Sequence, residues 1–173
     1  MNTDLGLLLF RLLLAGLLFG HAAQKLFGWF RGAGISGTAT VFEQWGFVPG
    51  ARMVVLAALA ELAGSASIAT GLLTPGGCAV VLGTMTVAAA ATAPSGFWAQ
   101  QGGCEVPFCY GALAAVLAFT GPGSWSLDHA IGLPELSGLS WGLAALGAGL
   151  GAATIPLFRR ARVLRARGAT TAR

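Results

Sequence analysis

Charge is scarce in this chain. Only 9% of its 173 residues are Asp, Glu, Lys or Arg, 55% are hydrophobic and the mean hydropathy is +0.76. A soluble domain would be charged at about a quarter of its positions, so a water-soluble globular protein is excluded. Acidic residues number six and lie far apart in the sequence. Paired catalytic carboxylates, a Ser/His/Asp arrangement and a phosphate-cradling glycine loop cannot be assembled from what is present. Three cysteines, none in a CxxC pair and none joined by a second histidine pair, leave no metal centre to expect. A basic leader is missing too: Asp4 stands where one would begin, and Arg11 interrupts the first apolar run, so that run is expected to be a retained span and not a cleaved signal. No internal repeat is found. The net charge of +4 gathers in the C-terminal stretch, which reads as a topology signal and not as a nucleic-acid surface.

Long apolar runs are what the chain has in quantity. They fall at 5–27, 51–73, 76–93, 106–120 and 139–158, separated by turn residues such as Thr74-Pro75-Gly76-Gly77 and Gly121-Pro122-Gly123. A bilayer needs about 20 apolar residues per helix, so an all-α, polytopic transmembrane bundle of five crossings is expected. The fourth run is the weak one, since its roughly 15 residues would reach only about 22 Å. Arginines at 159, 160, 162, 165 and 167 place the C-terminus in the cytoplasm, and five crossings then place the N-terminus outside. Lys25, Arg31 and Arg52 in the first loop, and Asp128 and Glu135 in the fourth, agree with that orientation. Within the first loop, residues 36–46 predict a short amphipathic helix, capped by Ser36, presenting Val41, Phe42 and Trp45, and ended by Gly46, which reads equally as an interfacial helix over the cytoplasmic mouth or as a simple connector.

Against this background the polar residues inside the spans stand out, because an ionisable group held in a bilayer marks a functional site by default. Residues 21–29 read HAAQKLFGW, and a helix puts His21, Gln24 and Lys25 on one face. Glu61 falls near mid-membrane in the second run. Arg11, at roughly matching depth on an antiparallel neighbour, is its expected partner, with His21 next. Lys25 and Trp29 taken singly are expected only to anchor the helix at the headgroups. The third loop combines Phe97, Trp98, Gln100, Gln101, Cys104 and Glu105, with Cys109 just beyond. Phe97 and Trp98 would suit a flat ligand such as a quinone head or an interfacial belt, and Cys104 with Cys109 would suit free thiols or a redox pair. Cys78 reads as a packing residue. Gly147 and Gly151, with Ala145 and Gly149, offer a surface for close helix contact within the bundle or in a homo-oligomer.

Arg11, HAAQKLFGW, Gly37-Thr38, Pro49, Glu61-Leu62, Gly71-Leu72-Leu73-Thr74, residues 97–105 and Thr120-Gly121-Pro122-Gly123 with Ser126-Leu127-Asp128 together resemble the DoxX family of bacterial membrane proteins. The resemblance implies a four-helix membrane bundle over 1–128, an additional transmembrane helix over 129–158 and a basic cytoplasmic tail over 159–173, in the bacterial cytoplasmic membrane. It implies a link to quinone-, thiol- or sulfur-dependent redox systems and to oxidative stress. The third loop departs from the family pattern at Ser95-Gly96-Phe97-Trp98 and at Cys104. From the residues, a cytoplasm-facing pocket of His21, Gln24, Lys25, Glu61, Gln100 and Glu105 is expected, with Arg11 holding Glu61 ionised. The alternative is a non-catalytic anchor that recruits soluble redox enzymes through the basic tail. Small-solute transport ranks third.

Overall fold

The computed structural model describes residues 2–134 and 136–171; Glu135, read above as an acid of the fourth loop, lies outside them. Every regular element among the described residues is helical. They are α1 (Asn2–Phe27), α2 (Gly34–Gln44), α3 (Gly50–Thr70), α4 (Thr74–Thr92), α5 (Glu105–Thr120), α6 (Leu127–Ala130) and α7 (Gly138–Thr171), with short 3-10 turns at Trp29–Arg31, Ala93–Ser95 and Ala99–Gln101. α1, α3, α4 and α7 are long and apolar enough to cross a membrane, so the protein is a multi-pass helical bundle. α5, the weak span, has 16 residues, about 24 Å of helix, and packs on α4 and α7.

α4 is central: it packs on α3, α5 and α7, while α1 packs on α3. Leu14, Leu18, Ile68, Val81 and Leu117 are buried where these helices meet. Close approach of backbones needs glycine. A Cβ on Gly83 of α4 would lie 2.8 Å from the Gly149 carbonyl oxygen of α7, closer than van der Waals contact allows. The small-residue stripe of α7 therefore divides. Ala145 and Gly149 face the bundle, whereas a Cβ on Gly147 or Gly151 would meet nothing within 4 Å.

α2 forms as expected, and Gly46, at φ +90, follows its last turn. Its start differs. Ser36 does not cap it, because the helix already begins at Gly34, whose φ of +65 turns the chain two residues earlier. α2 packs on α1 and α3, and its Glu43 carboxylate accepts the Gly50 N–H at 3.0 Å, satisfying a free donor at the start of α3.

α7 is longer than the span predicted for it. Its 34 residues amount to about 51 Å, well beyond a hydrocarbon core of about 30 Å, so Arg159 to Arg167 leave the membrane as continuous helix. Two of those arginines hold α2: Arg160 Nε donates to the Trp45 carbonyl at 2.8 Å and Arg167 Nη1 to the Glu43 carbonyl at 2.7 Å. Alternating helix directions thus gather Lys25, Arg31, Arg52 and the α7 arginines at one end of the bundle. Asp4 and Asp128 lie at the other.

At that acidic end the expected Arg11–Glu61 pair is replaced by a clasp. Arg11 is 1% exposed and donates from Nη1 to the Pro122 carbonyl at 2.7 Å and from Nη2 to the Trp125 carbonyl at 2.6 Å. Asp128 accepts the N–H of Leu73 at 2.8 Å and of Thr74 at 3.4 Å, where α4 begins, and its own N–H donates to the Gly71 carbonyl. Gly71 adopts φ +66 to end α3, and a side chain there would run into Arg11 and Ser126. The Gly71–Thr74 and Gly121–Asp128 segments, far apart in sequence, are thereby locked over the N-terminal half of α1.

Candidate ligand cavity

The bond from Ser65 Oγ to the Ala15 carbonyl, 2.8 Å, fixes the register of α1 against antiparallel α3. It puts Glu61 level with residue 19, so Lys25 lies six residues further on, about 9 Å of rise. Side chains on a helix slant toward its own N-terminus. Lys25 therefore slants toward residue 21 and Glu61 toward residue 57, and on antiparallel helices these directions converge. Arg11 slants the opposite way, toward residue 7, which is why it meets the loops and not Glu61.

The outcome is a buried ion pair. Lys25 Nζ lies 2.5 Å from Glu61 Oε1 and 2.6 Å from Oε2, with Glu61 2% exposed and the Lys25 side chain 20%. Lys25, near the end of α1, thus turns its ammonium inward to Glu61 and not out to solvent. Trp29 does lie exposed, beside Phe27.

The pair lines a cavity of about 780 Å³ at the basic end, roofed by α2 and walled by α3, α4, α5 and α7. α3 and α4 touch where Gly64 faces Val81, and on the basic side of that contact both line the cavity, through Ala57 and Ala60 on one and Thr84 and Ala88 on the other, while α3 makes no extended contact with α7. Most of the lining is apolar, from Met53, Leu56, Ala60, Val80, Met85 and Ile155. Its polar groups are few: the Lys25–Glu61 pair, His21, Tyr110 and the hydroxyls of Thr38, Thr84 and Thr92. The His21 and Tyr110 rings meet edge to face with centroids 5.5 Å apart. Pro156 brings no N–H to the carbonyl of Ala152 four residues earlier, and both residues line the cavity. An apolar chamber of this size with a few converging polar groups suits an amphiphile of drug-like or lipid-like bulk.

The structure gathers half of the expected pocket. His21, Lys25 and Glu61 line the cavity. Gln24 does not: its Nε2 lies 3.5 Å from the Phe30 carbonyl, helping to close the turn after α1. Gln100 is exposed in a surface turn, and Glu105 accepts the Ala99 N–H at 2.8 Å in the first turn of α5. Phe97 and Trp98 are exposed and meet edge to face, with Phe97 also edge to face against Phe108, so they form a surface aromatic cluster away from the cavity. Cys104 is half-buried at the start of α5, Cys109 is exposed, and both are free thiols, as is buried Cys78. No group of three or more His, Cys, Asp or Glu side chains able to hold a metal ion occurs among the described residues.

Tyr110 was missed by sequence reasoning, and the signal was there. It is the only tyrosine of the chain, placed in an otherwise apolar run. Phe42 and Trp45, expected over a mouth, form part of the roof with Phe47, Phe42 lying 5.8 Å from each of the other two rings.

A protein-family model described as DoxX matches residues 6–94. The matched part carries Arg11, His21, Lys25, Glu61 and four of the helices, whereas the walls supplied by α5 and α7 lie beyond it. No curated protein and no solved structure matches the chain.

Proposed function

The chain belongs to the DoxX family of membrane proteins, and from that premise we propose that it is a membrane component of a redox system whose cavity binds a quinone-like amphiphile. The carrying observation is the Lys25–Glu61 pair set in the wall of an apolar chamber beside His21 and Tyr110. A buried ion pair contributes little net stability, so its retention beside an open cavity argues for use. A quinone, when bound, supplies two-electron chemistry that takes up protons at its ring oxygens. In this chain Lys25 Nζ and the Tyr110 hydroxyl are the donors for such an oxygen, and Glu61 and His21 hold and hand on protons. The apolar walls take the tail and exclude water. On this reading the ligand enters from the bilayer between α3 and α7, which make no extended contact and both line the cavity with apolar side chains.

Binding of decylubiquinone to the purified protein tests this reading. Wild type is expected to bind, and Glu61→Gln and His21→Ala to weaken binding by about tenfold or more, the scale of one lost polar contact. Filling the chamber with Ala88→Trp should abolish it. Absence of binding in every form would end the proposal.

The same reading sets the basic end in the cytoplasm, by the excess of Lys and Arg gathered there. A membrane-impermeant maleimide should then label an Arg165→Cys protein, in a background with the three native cysteines replaced by alanine, in inside-out vesicles and not in intact cells. Labelling in intact cells would reverse the orientation.

A further inference from the structure

A second cleft, about 370 Å³, adjoins the cavity where α7 leaves the membrane, and the function proposed above makes no use of it. Its rim carries Arg159, Arg160 and Arg162, and none of the residues lining it is acidic. Its floor is apolar, shared in part with the larger chamber through Phe47, Leu56 and Ile155. Arg160 is fixed: its Nε binds the Trp45 carbonyl and its guanidinium lies 5.9 Å from the Phe47 ring centroid. Arg159 and Arg162 are exposed, one turn apart on the same face of α7, with Ile155 one turn deeper toward the bilayer. Leu56 and Ile155 are 61% and 67% exposed.

We propose that this cleft holds an anionic phospholipid, its phosphodiester between Arg159 and Arg162 and one acyl chain along Leu56 and Ile155. Each half of the lining selects against other ligands. Guanidinium groups pair bidentately with phosphate oxygens, so the rim requires an anion. The floor continues through Leu56 and Ile155 into the apolar lining of the larger chamber, so a free phosphate would leave it bare. A soluble acidic protein would have to place polar surface against exposed Leu56 and Ile155. Basic pockets beside membrane helices on the cytoplasmic face are the usual seat of anionic headgroups, and the headgroup depth of the arginines above an apolar wall fits that chemistry. The lipid would lie across the gap between α3 and α7, so that it borders the opening of the larger chamber.

Native mass spectrometry of the full chain, released from micelles after incubation with phosphatidylglycerol or phosphatidylcholine, tests the proposal. Wild type is expected to retain one phosphatidylglycerol in preference to phosphatidylcholine. The double variant Arg159→Gln/Arg162→Gln is expected to lose that preference by about thirtyfold, the effect of two basic residues at an anionic surface. Arg165→Gln, outside the cleft, should retain it. Val163→Trp, which fills the cleft with every arginine in place, should expel the lipid, and thermal unfolding checks that each variant is folded. Equal retention of both lipids, or an unchanged preference in the double variant, overturns the proposal and leaves the arginines to a protein partner. Displacement by millimolar inorganic phosphate overturns it in favour of a soluble anion site. None of these outcomes depends on decylubiquinone binding.

Discussion

Lys25→Met is expected to be among the most damaging single substitutions in the protein, lowering stability by about 3–5 kcal/mol in thermal or denaturant unfolding of the micelle-bound chain. The reason is what it leaves behind. Glu61 is 2% exposed, two turns or more inside α3, and among the described residues no second cation lies within its hydrogen-bonding reach. Its short side chain cannot carry the carboxylate out of the apolar wall. The reverse change, Glu61→Leu, is expected to cost less, about 1–3 kcal/mol, because Lys25 lies two residues from the end of α1 and its long stem can swing the ammonium to the headgroups. The double variant Lys25→Met/Glu61→Leu removes both charges together and is expected to recover most of the loss. Wild-type stability in Lys25→Met, or equal damage from both single changes, would show that the pair is not a buried contact. The double variant also separates stability from function: a folded protein that no longer binds decylubiquinone places the pair in the ligand site, whereas unchanged binding would leave it a structural bond only.

That pair also marks the boundary of what the sequence made legible. Composition and the apolar runs fixed the class of fold, since few charges over so many hydrophobic residues admit nothing but a membrane bundle. The polar cast of the site was legible for a similar reason: His21, Lys25 and Glu61 are conspicuous where nearly every neighbour is hydrocarbon. Their pairing was not. Matching depths along two antiparallel helices pointed from Glu61 to Arg11, but depth of the Cα atoms is a poor guide for side chains that span 6 Å or so and slant along the helix. Only the register, set by Ser65 on Ala15, shows that Lys25 and Glu61 slant toward each other and that Arg11 slants away.

The third loop misled for a different reason. Aromatic, amide and thiol side chains side by side in sequence suggested a binding surface, yet Phe97 and Trp98 bind each other and Glu105 turns back to the Ala99 N–H. Local polar groups satisfied one another before they could reach the cavity. Tyr110, five residues into α5, reached it because the helix aimed it inward toward His21. The cavity itself had no sequence signature. It lies on the basic side of the α3–α4 contact at Gly64, and the space left beside such a contact is a property of the packed helices and not of any one of them.

Arg11 carries the second large effect, and it works at the opposite end from the cavity. Arg11→Met keeps the bulk of the side chain and removes both donors to the Pro122 and Trp125 carbonyls. With two charge-assisted bonds of about 1.5–3 kcal/mol each removed, and the relief of no longer burying a cation set against them, a net loss of about 2–4 kcal/mol is expected. Arg11→Lys should rescue little, since one ammonium cannot span two carbonyls that a planar fork reaches together. The damage should be local before it is global. Amide hydrogen exchange is expected to rise across residues 71–74 and 121–130, because Asp128 holds the Leu73 and Thr74 N–H groups from a loop whose position Arg11 fixes. Exchange at the Lys25–Glu61 end should stay as in wild type, and decylubiquinone affinity with it. Weakened binding in a folded Arg11→Met protein would instead mean that the clasp and the cavity are coupled along α1, and the two ends could no longer be treated as a structural lock and a separate binding site.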